Sequence, residues 1–436
     1  MKRIILLIGL VVSLFSVSCQ KDLEPVLGDP DQRQSEALMA YQTLLTSSEF
    51  GWNGYIYTKL GGGYSFHFDF QENGQVNMQG DLNDKTMEVG TSTWRLKSSQ
   101  QSLLIFDTYS YLHWLSDPDA GVFQGAPGQG LGSDYEFAFL GVSENQDTIH
   151  FQGKLNKVDF LLVRSSKADA DSWATGAVLQ IEDQIKIHRF ASSGDGFTMM
   201  VNPEKKTALF RFKPGAEPVS IPYTYTRQGI NLQAPVVQQG YGFNAVFWDE
   251  EKGLYYVQSQ GSRIDLPVSD TPLFSLDELL GYGKAYDRLV FDGDLLDPTL
   301  SSGLQARWDQ AKANNILYMG PPVGRELLDY AVMQFVDDDE VSVHFRYKHP
   351  IEGTLFTVGI WYHVQRNSDN RLEFTYIRHD NNTLFNDPRV MQPFTTDFFE
   401  AKSFILDYLS REDKTSLVGA IIDQEDSGDF FYGILN

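Results

Sequence analysis

The sequence predicts a mostly β protein with a few helices, built from β-meander domains in series that close as barrels or sandwiches. Short runs of alternating apolar and polar residues recur between turn signals, at intervals of roughly 8 to 12 residues. A helix followed by such a meander occurs twice, about 140 residues apart, which is far longer than a solenoid repeat. The chain has 436 residues and one cysteine. Without disulfides, large apolar cores must stabilise it.

The first 31 residues predict a lipoprotein leader and a tether. Lys2 and Arg3 precede an apolar run over 4–15, which is shorter than the roughly 20 residues of a membrane-spanning helix. Ser16-Val17-Ser18-Cys19 then resembles a bacterial lipobox, although Ser16 stands where the usual motif has leucine. We therefore expect a signal peptide over 1–18, lipidation of Cys19 and a polar tether over 19–31.

The next residues point to the outer membrane. Gln20-Lys21-Asp22-Leu23-Glu24 is similar to the acidic export signal of Bacteroidota surface lipoproteins. The resemblance implies a lipid-anchored protein on the outer membrane that faces the medium.

The first predicted domain covers 32–166. Apolar residues at helical spacing predict a helix over 32–46 with Asp31 as its N-cap. Alternation in Tyr64 to Phe70, followed by Glu72-Asn73-Gly74, predicts a β-hairpin. Further strands are predicted over 93–97, 102–107, 135–142, 148–154 and 158–164. Such a meander closes as a barrel or sandwich of lipocalin-like type, because closure removes exposed strand edges.

A second helix-plus-meander domain is predicted over 167–273, and a C-terminal, mainly β domain over 274–436. The second domain begins with a helix over 168–190. The third contains helical segments over 276–280 and 304–315, four strands between 331 and 378, a helix over 396–409 and a last strand over 430–434.

The formal net charge is −23. Phosphate binding requires clustered Lys and Arg, and the 35 basic residues form no run, so we expect no nucleic-acid partner. The membrane is expected as a partner only through the lipid anchor.

The long glycine-rich connection between the strands predicted at 102–107 and 135–142 is the least ordinary segment. It contains Phe106-Asp107-Thr108-Tyr109-Ser110, Leu112-His113, Asp117-Pro118, Gly128-Gln129-Gly130 and Ser133-Asp134-Tyr135-Glu136-Phe137. These motifs resemble those of an uncharacterised lipoprotein domain family of Bacteroidota, most clearly over 35–165. The resemblance implies a nutrient-uptake or surface-binding setting, with a TonB-dependent transporter and a starch-utilisation-type lid lipoprotein as partners. It implies no catalytic residues.

The same connection is our candidate binding loop, since long loops in compact folds often carry function. Its candidate contact residues are Tyr109, Tyr111, His113, Trp114, Asp117, Gly128 and Gly130. The alternative is structural: the glycines let the loop fold over the barrel mouth and the aromatic residues plug it. A nucleotide loop is not predicted, because a strand follows the glycines instead of a helix.

The sequence gives little support for a metal site or for a catalytic nucleophile. Asp117, Asp119, Asp134 and Glu136 are weak candidates for a calcium site, but their spacing matches no calcium loop. The eight histidines are not spaced as zinc ligands, and no Gly-x-Ser-x-Gly motif exists. We therefore expect no cofactor, with calcium left open.

Three functions remain. The first is a non-catalytic accessory of a nutrient-uptake system that binds a glycan, a peptide, another small ligand or a partner. The second is an extracellular hydrolase of glycans or peptides that uses Asp or Glu as acid and base. The third is a structural subunit of a transporter complex.

Overall fold

The protein consists of three antiparallel β-sheets in series, two of them closed barrels and one nearly closed. The structure is a computed structural model. It describes residues 30–123, 125, 128–194, 196–293, 297–319, 327–348, 353–369, 371–380, 387–410 and 415–436. The prediction of a mostly β fold built from serial barrels is confirmed. The predicted leader and lipidation site Cys19 lie outside the described residues.

The first barrel is an eight-stranded meander in which each strand pairs with the next. Its strands are β1 Trp52–Tyr57, β2 Gly63–Phe70, β3 Gln75–Gly80, β4 Gly90–Ser98, β5 Ser102–Phe106, β6 Glu136–Val142, β7 Thr148–Gly153 and β8 Asp159–Arg164. The barrel closes where β1 pairs with β8, from Trp52 opposite Arg164 to Tyr57 opposite Asp159.

The second sheet has nine strands. They are β9 Phe190–Ser192, β10 Thr198–Asn202, β11 Thr207–Arg211, β12 Val219–Thr226, β13 Gly229–Gln238, β14 Tyr241–Asp249, β15 Leu254–Ser259, β16 Ser262–Leu266 and β17 Val268–Ser269. β17 follows β16 after Pro267 and pairs with β9 at the other edge. The chain at Pro267 thereby nearly closes the sheet.

The third barrel again has eight strands. They are β18 Arg288–Asp292, β19 Leu327–Phe335, β20 Glu340–Lys348, β21 Leu355–Arg366, β22 Leu372–His379, β23 Ser403–Leu409, β24 Val418–Asp423 and β25 Phe430–Leu435. β18 closes the barrel against β25, with Leu289 opposite Leu435.

The helical segments lie between and beside the sheets. The α-helices are α1 Pro30–Thr46, α2 Tyr111–Trp114, α3 Lys167–Thr175, α4 Gln180–Ile187, α5 Leu276–Leu279 and α6 Ser302–Asn314. Turns of 3₁₀-helix span Asp84–Met87, Ala177–Leu179 and Pro298–Leu300, and π-helical turns span Asn315–Met319 and Thr395–Phe399. Across the described ranges, no helix has the length and apolar character needed to cross a membrane.

Three helix predictions need correction. α1 begins at Pro30, so Asp31 lies inside the helix and is not its N-cap; proline is well suited to a first helical turn. The helix predicted over 168–190 is broken at Gly176, whose φ of +73° ends α3 in a left-handed cap.

The helix predicted over 396–409 is wrong over its second half, which forms β23. Phe404 and Leu406 are buried, whereas Ile405 between them is exposed. This period of two fits a strand, and a short apolar run alone does not distinguish the two structures.

Aromatic side chains fill the interior of the first barrel. Phe66, Phe68, Phe137 and Phe160 are each fully buried. The ring centroids of Phe68 and Phe160 lie 5.9 Å apart, and those of Phe137 and Phe160 lie 4.6 Å apart. These edge and tilted contacts are the geometry that aromatic pairs prefer. The barrel interior is therefore a packed core.

The first and second sheets meet closely. A Cβ atom added at Gly63 of β2 would lie 2.3 Å from the carbonyl oxygen of Tyr223 in β12, so only glycine permits this approach. Beside it, the Lys206 ammonium lies 2.9 Å from Asp81 Oδ2, and both side chains are buried. The ammonium also lies over the rings of Tyr64 and Tyr225.

Arg189 joins the second sheet to the third barrel. Its guanidinium donates to Glu204 with distances of 2.6 and 2.7 Å, to the Tyr286 hydroxyl and to the carbonyl of Thr415. The side chain is 2% exposed. A buried charge needs such complete pairing, so Arg189 fixes these two sheets together.

Candidate functional site

The connection between β5 and β6 folds over one end of the first barrel. Leu112 in α2 and Leu115 after it are fully buried, and they belong to the apolar core of the barrel. Leu131 donates its backbone N–H to the carbonyl of Leu115 at 2.9 Å, which closes the connection on itself. In this half of the candidate loop, Leu112 and Leu115 form a plug.

Two aromatic residues of the candidate loop belong to the plug. The Tyr111 ring packs against the backbone at Gly90, where an added Cβ would lie 2.7 Å from the ring. Tyr111 and Trp114 meet edge to face at 5.4 Å. The Lys85 ammonium lies 5.4 Å from the centre of the Trp114 ring. These contacts give both Tyr111 and Trp114 a structural role in the plug.

Tyr109, His113 and Tyr135 form an exposed aromatic stack, which we call the aromatic ladder. His113 is stacked on Tyr135 with centroids 4.6 Å apart and planes 22° apart, and Tyr109 lies 5.6 Å from His113 on a tilted plane. Tyr109 and Tyr135 are 60% and 43% exposed. Burial lowers the pKa of His113, which favours the neutral ring near pH 7. The ladder offers ring surface to a ligand.

Asp117 secures the outer end of the ladder. The Tyr109 hydroxyl donates to Asp117 Oδ2. Partial burial and this hydrogen bond raise the pKa of Tyr109 to about 12. The same bond, with the backbone N–H of Asp119, lowers the pKa of Asp117. At neutral pH, Tyr109 is therefore the donor and Asp117 the ionised acceptor.

A groove of about 730 Å³ lies beside the ladder. It is lined by Lys59, Leu60, Ser116, Pro118, Gly128, Gln129, Gly132, Ser133, Asp134, Tyr135, Glu136, Lys154, Leu155 and Asn156. Its volume falls within the roughly 300–1,000 Å³ of small-molecule sites. Gly130 supports its wall: its φ is +58°, and a Cβ there would lie 2.7 Å from the carbonyl oxygen of Asp117. Of the predicted contact residues, Gly128 lines the groove and Tyr109 and His113 lie in the ladder.

The polar groups of the groove are mostly paired. Buried Asp134 accepts the backbone N–H groups of Leu155 and Asn156 at 2.8 and 3.0 Å. Glu136 accepts from Lys154 at 2.6 Å. The Ser133 hydroxyl is buried without a hydrogen-bond partner among the described residues. Two lysines balance two carboxylates, so the lining carries no net charge.

The four carboxylates considered for calcium do not come together. Each serves local structure: Asp117 bonds to Tyr109, Asp119 accepts the backbone N–H of Gly121, Asp134 holds the turn at 155–156, and Glu136 pairs with Lys154. Within the described part of the chain, no group of three or more His, Cys, Asp or Glu side chains is arranged to hold a metal ion.

Sequence reasoning missed the residues that two other turns contribute. Lys59 and Leu60 follow β1, and Leu155 and Asn156 precede β8. In an up-and-down barrel, the turns after every odd strand meet at the same end, so strand counting alone could have found them. The exposed rim consists of Leu60, Tyr135 and Leu155, which are 53%, 43% and 82% exposed.

Comparison with protein families places this barrel in a known group. The family described as a domain of unknown function, DUF4302, matches residues 28–250. The chain belongs to the DUF4302 family. The match covers the first barrel, with its loop and groove, and the second sheet through β14. The predicted membership of an uncharacterised domain family is confirmed.

Other comparisons add little to the DUF4302 assignment. No curated protein matches the chain. A DUF3598-family protein of unknown function from Nostoc punctiforme is similar at 8% identity and a TM-score of 0.15, over 73% of this chain and 97% of that one. A lipopolysaccharide binding protein is similar at 11% identity and a TM-score of 0.11, over 93% and 95%. Both TM-scores are too low to support an argument about fold or function.

Proposed function

We propose that this DUF4302 protein is an outer-membrane surface lipoprotein that binds a glycan for a neighbouring nutrient-uptake system. The proposed site is the groove beside the aromatic ladder, at the loop end of the first barrel. The observation that carries the proposal is the exposed Tyr135 ring, which is held in place by stacking on His113 at the edge of a 730 Å³ groove.

The ligand would bind outside the barrel. An eight-stranded, lipocalin-like barrel can hold a small ligand inside. Here the plug covers the mouth of the barrel and aromatic rings fill its core. The groove is an open volume at this end, and its three rim side chains expose apolar surface beside polar groups. Such a mixture is typical of a ligand site.

A glycan fits the chemistry of this groove. Sugar rings present apolar C–H faces that pack on aromatic rings and hydroxyl groups that bond to amides and hydroxyls. Tyr135 supplies the ring, and Gln129 and Asn156 supply polar groups. The lining has no net charge, which favours a neutral ligand over an anion.

The groove supports binding better than hydrolysis. A glycosidase needs one carboxyl as acid and another as base or nucleophile. Here Asp134 is committed to two backbone N–H groups and Glu136 to Lys154. These contacts use the acceptor positions that catalysis would require.

Calorimetric titration of the purified chain with defined oligosaccharides tests the proposal. The panel contains maltoheptaose, xylohexaose and chitin- and mannan-derived hexamers. We expect one class to bind and Tyr135→Ala to weaken it about tenfold, which corresponds to about 1.4 kcal/mol. Tyr282→Ala is the matched control, because Tyr282 is also exposed, at 53%, but lies outside the groove.

Two results would contradict the proposal. The first is binding that Tyr135→Ala and Tyr282→Ala reduce equally. The second is release of shorter oligosaccharides during incubation, which would support the hydrolase alternative. Purification from native outer membrane tests the uptake setting, since co-purification of a TonB-dependent transporter is expected.

A further inference from the structure

The third barrel lies outside the family match and is separate from the proposed glycan groove. β22 runs past the end of its neighbour β23. The two strands pair only at Leu372 opposite Phe404 and Glu373 opposite Ser403, among the residues the structure describes. Continued in the same register, Phe374 would face Lys402 and Tyr376 would face Glu400. There the chain has left the sheet and forms the π-helical turn Thr395–Phe399.

Among the described residues, no strand pairs with this edge of β22 beyond Glu373. On its other side, β22 pairs with β21 along its whole length. In an antiparallel strand, alternate backbone groups point to opposite sides, so about half of those from Phe374 to Tyr376 point away from β21. A bulge at Ile377 ends the regular edge, since Tyr376 pairs with Tyr362 and Arg378 with Trp361.

A cleft follows this edge. Its lower part, about 390 Å³, is lined by Glu373, Phe374, Thr375, Glu400, Ala401, Lys402, Ser403, Asp423 and Glu425. Its upper part, about 320 Å³, is lined by Ile360, Tyr376, His379, Pro388, Arg389, Met391, Gln392, Thr395, Thr396 and Glu400. Glu400 lines both parts. From Glu373 to His379 the cleft is about 20 Å long at 3.3 Å per residue, which suits an extended ligand.

The charges in the lower part of the cleft favour a cation. The lower part has four carboxylates and one ammonium, and that ammonium, Lys402, is bound by Asp423 at 2.5 Å and by Asp429 at 2.7 Å. Burial raises the pKa of Glu400. No described residue forms an ion pair or side-chain hydrogen bond with its carboxylate. Glu400 is thus an acidic group without a cation at the junction of the two parts.

A buried polar group nearby also lacks a partner. The Tyr362 side chain is fully buried, and its hydroxyl has no hydrogen-bond partner among the described residues. Its ring contacts Phe374 and Tyr376, which line the cleft, and the buried Phe399. An unpaired buried hydroxyl is costly.

We propose that this cleft binds an extended, basic peptide segment of a partner protein. The segment pairs its backbone with the open edge of β22, and a lysine or arginine side chain reaches Glu400. Strand addition of this kind takes affinity from main-chain hydrogen bonds and specificity from alternate side-chain pockets. The argument is independent of the glycan site.

Fluorescence anisotropy with a labelled acetyl-(Lys-Val)₃ amide tests the proposal on the purified chain. We expect this peptide to bind and the matched (Glu-Val)₃ peptide to bind at least tenfold more weakly. A (Lys-Val)₃ peptide with every backbone nitrogen methylated keeps its charge but cannot pair as a strand, and it is expected not to bind.

Two variants locate the binding. Glu400→Gln removes the charge and should weaken the basic peptide about tenfold, whereas Glu144→Gln, at an exposed position in the first barrel, should not. Ile377→Lys, at a 42% exposed position, adds a repelling charge beside the edge and should also weaken it. Thermal unfolding confirms that the variants are folded.

Several outcomes would overturn the proposal. One is equal binding of the basic and acidic peptides, or binding of neither. Another is equal binding of the methylated peptide, which would leave charge alone as the cause. A third is binding that emerges only after deletion of residues 20–29, which would make the chain's own tether the occupant. Self-association that Glu400→Gln abolishes would assign the cleft to a second copy.

Discussion

At the scale of single residues, burial decides the protonation of His67. Its Nε2 lies 2.9 Å from the carbonyl oxygen of Phe50, and its ring lies 6.3 Å from that of Trp173. Burial lowers the pKa of His67 below its usual 6.5, against the smaller opposing effect of the Phe50 carbonyl. The folded protein therefore favours the neutral ring.

This predicts that acid destabilises the protein through His67. Above pH 6.5, the ring is neutral in both states and the contribution is constant. As pH falls from 6.5 toward the lowered pKa, the unfolded chain binds the proton first and stability is lost. Each unit of pKa lowering is worth about 1.4 kcal/mol.

Melting temperatures at pH 7.5 and pH 5.5 check this expectation. The drop for wild type should exceed the drop for His67→Gln. An equal drop in both proteins would show that His67 does not carry the effect. In that case, we expect the loss of stability at low pH to come from His113 and His344, whose pKa values burial also lowers.

At the scale of elements, the connection between β5 and β6 is half plug and half candidate site. We predict that Leu112→Ala lowers the free energy of unfolding of the first barrel by about 2–5 kcal/mol, because it leaves a cavity beneath α2. Leu140→Ala is the matched control at 57% exposure, with an expected change within about 0.5 kcal/mol. Denaturant unfolding of the two variants measures the difference. Equal effects would show that α2 is not part of the barrel core.

How far the sequence predicted these elements depends on the pattern of each segment. In β2, Phe66, Phe68 and Phe70 alternate with polar residues, so the strand was predictable. In the segment 403–409, apolar residues follow one another too closely to distinguish a strand from a helix. The strand forms there because it pairs within the closed barrel. The candidate loop was identified by its glycines, but Tyr135 and Leu155 join the site only through barrel geometry. The cleft at Glu400 arises from a register between β22 and β23 that no local signal encodes.

At the scale of the whole molecule, a buried ion pair joins the first two sheets. Its members, Lys206 and Asp81, have side chains that are 9% and 0% exposed. We predict that Lys206→Met destabilises the chain by about 3–5 kcal/mol, because it leaves Asp81 buried without a counter-charge. Lys252→Met, which removes an exposed pair with Asp265, should cost at most about 1 kcal/mol.

Calorimetric unfolding distinguishes these two variants. The double variant Asp81→Asn with Lys206→Met should regain much of the loss, since no unpaired charge remains. If Lys206→Met loses no more stability than Lys252→Met, the ion pair between Lys206 and Asp81 does not stabilise the contact between the sheets.

The closure of the barrels has a mechanical consequence. The chain enters the first barrel at Trp52 and leaves it at Arg164, and these residues face each other in neighbouring antiparallel strands. In the third barrel, Leu289 and Leu435 stand in the same relation. A pulling force along the chain therefore acts on one end of the closing strand pair and breaks its hydrogen bonds one after another. If the protein is anchored at one terminus and pulled at the other, we expect the barrels to unfold one after another at low force.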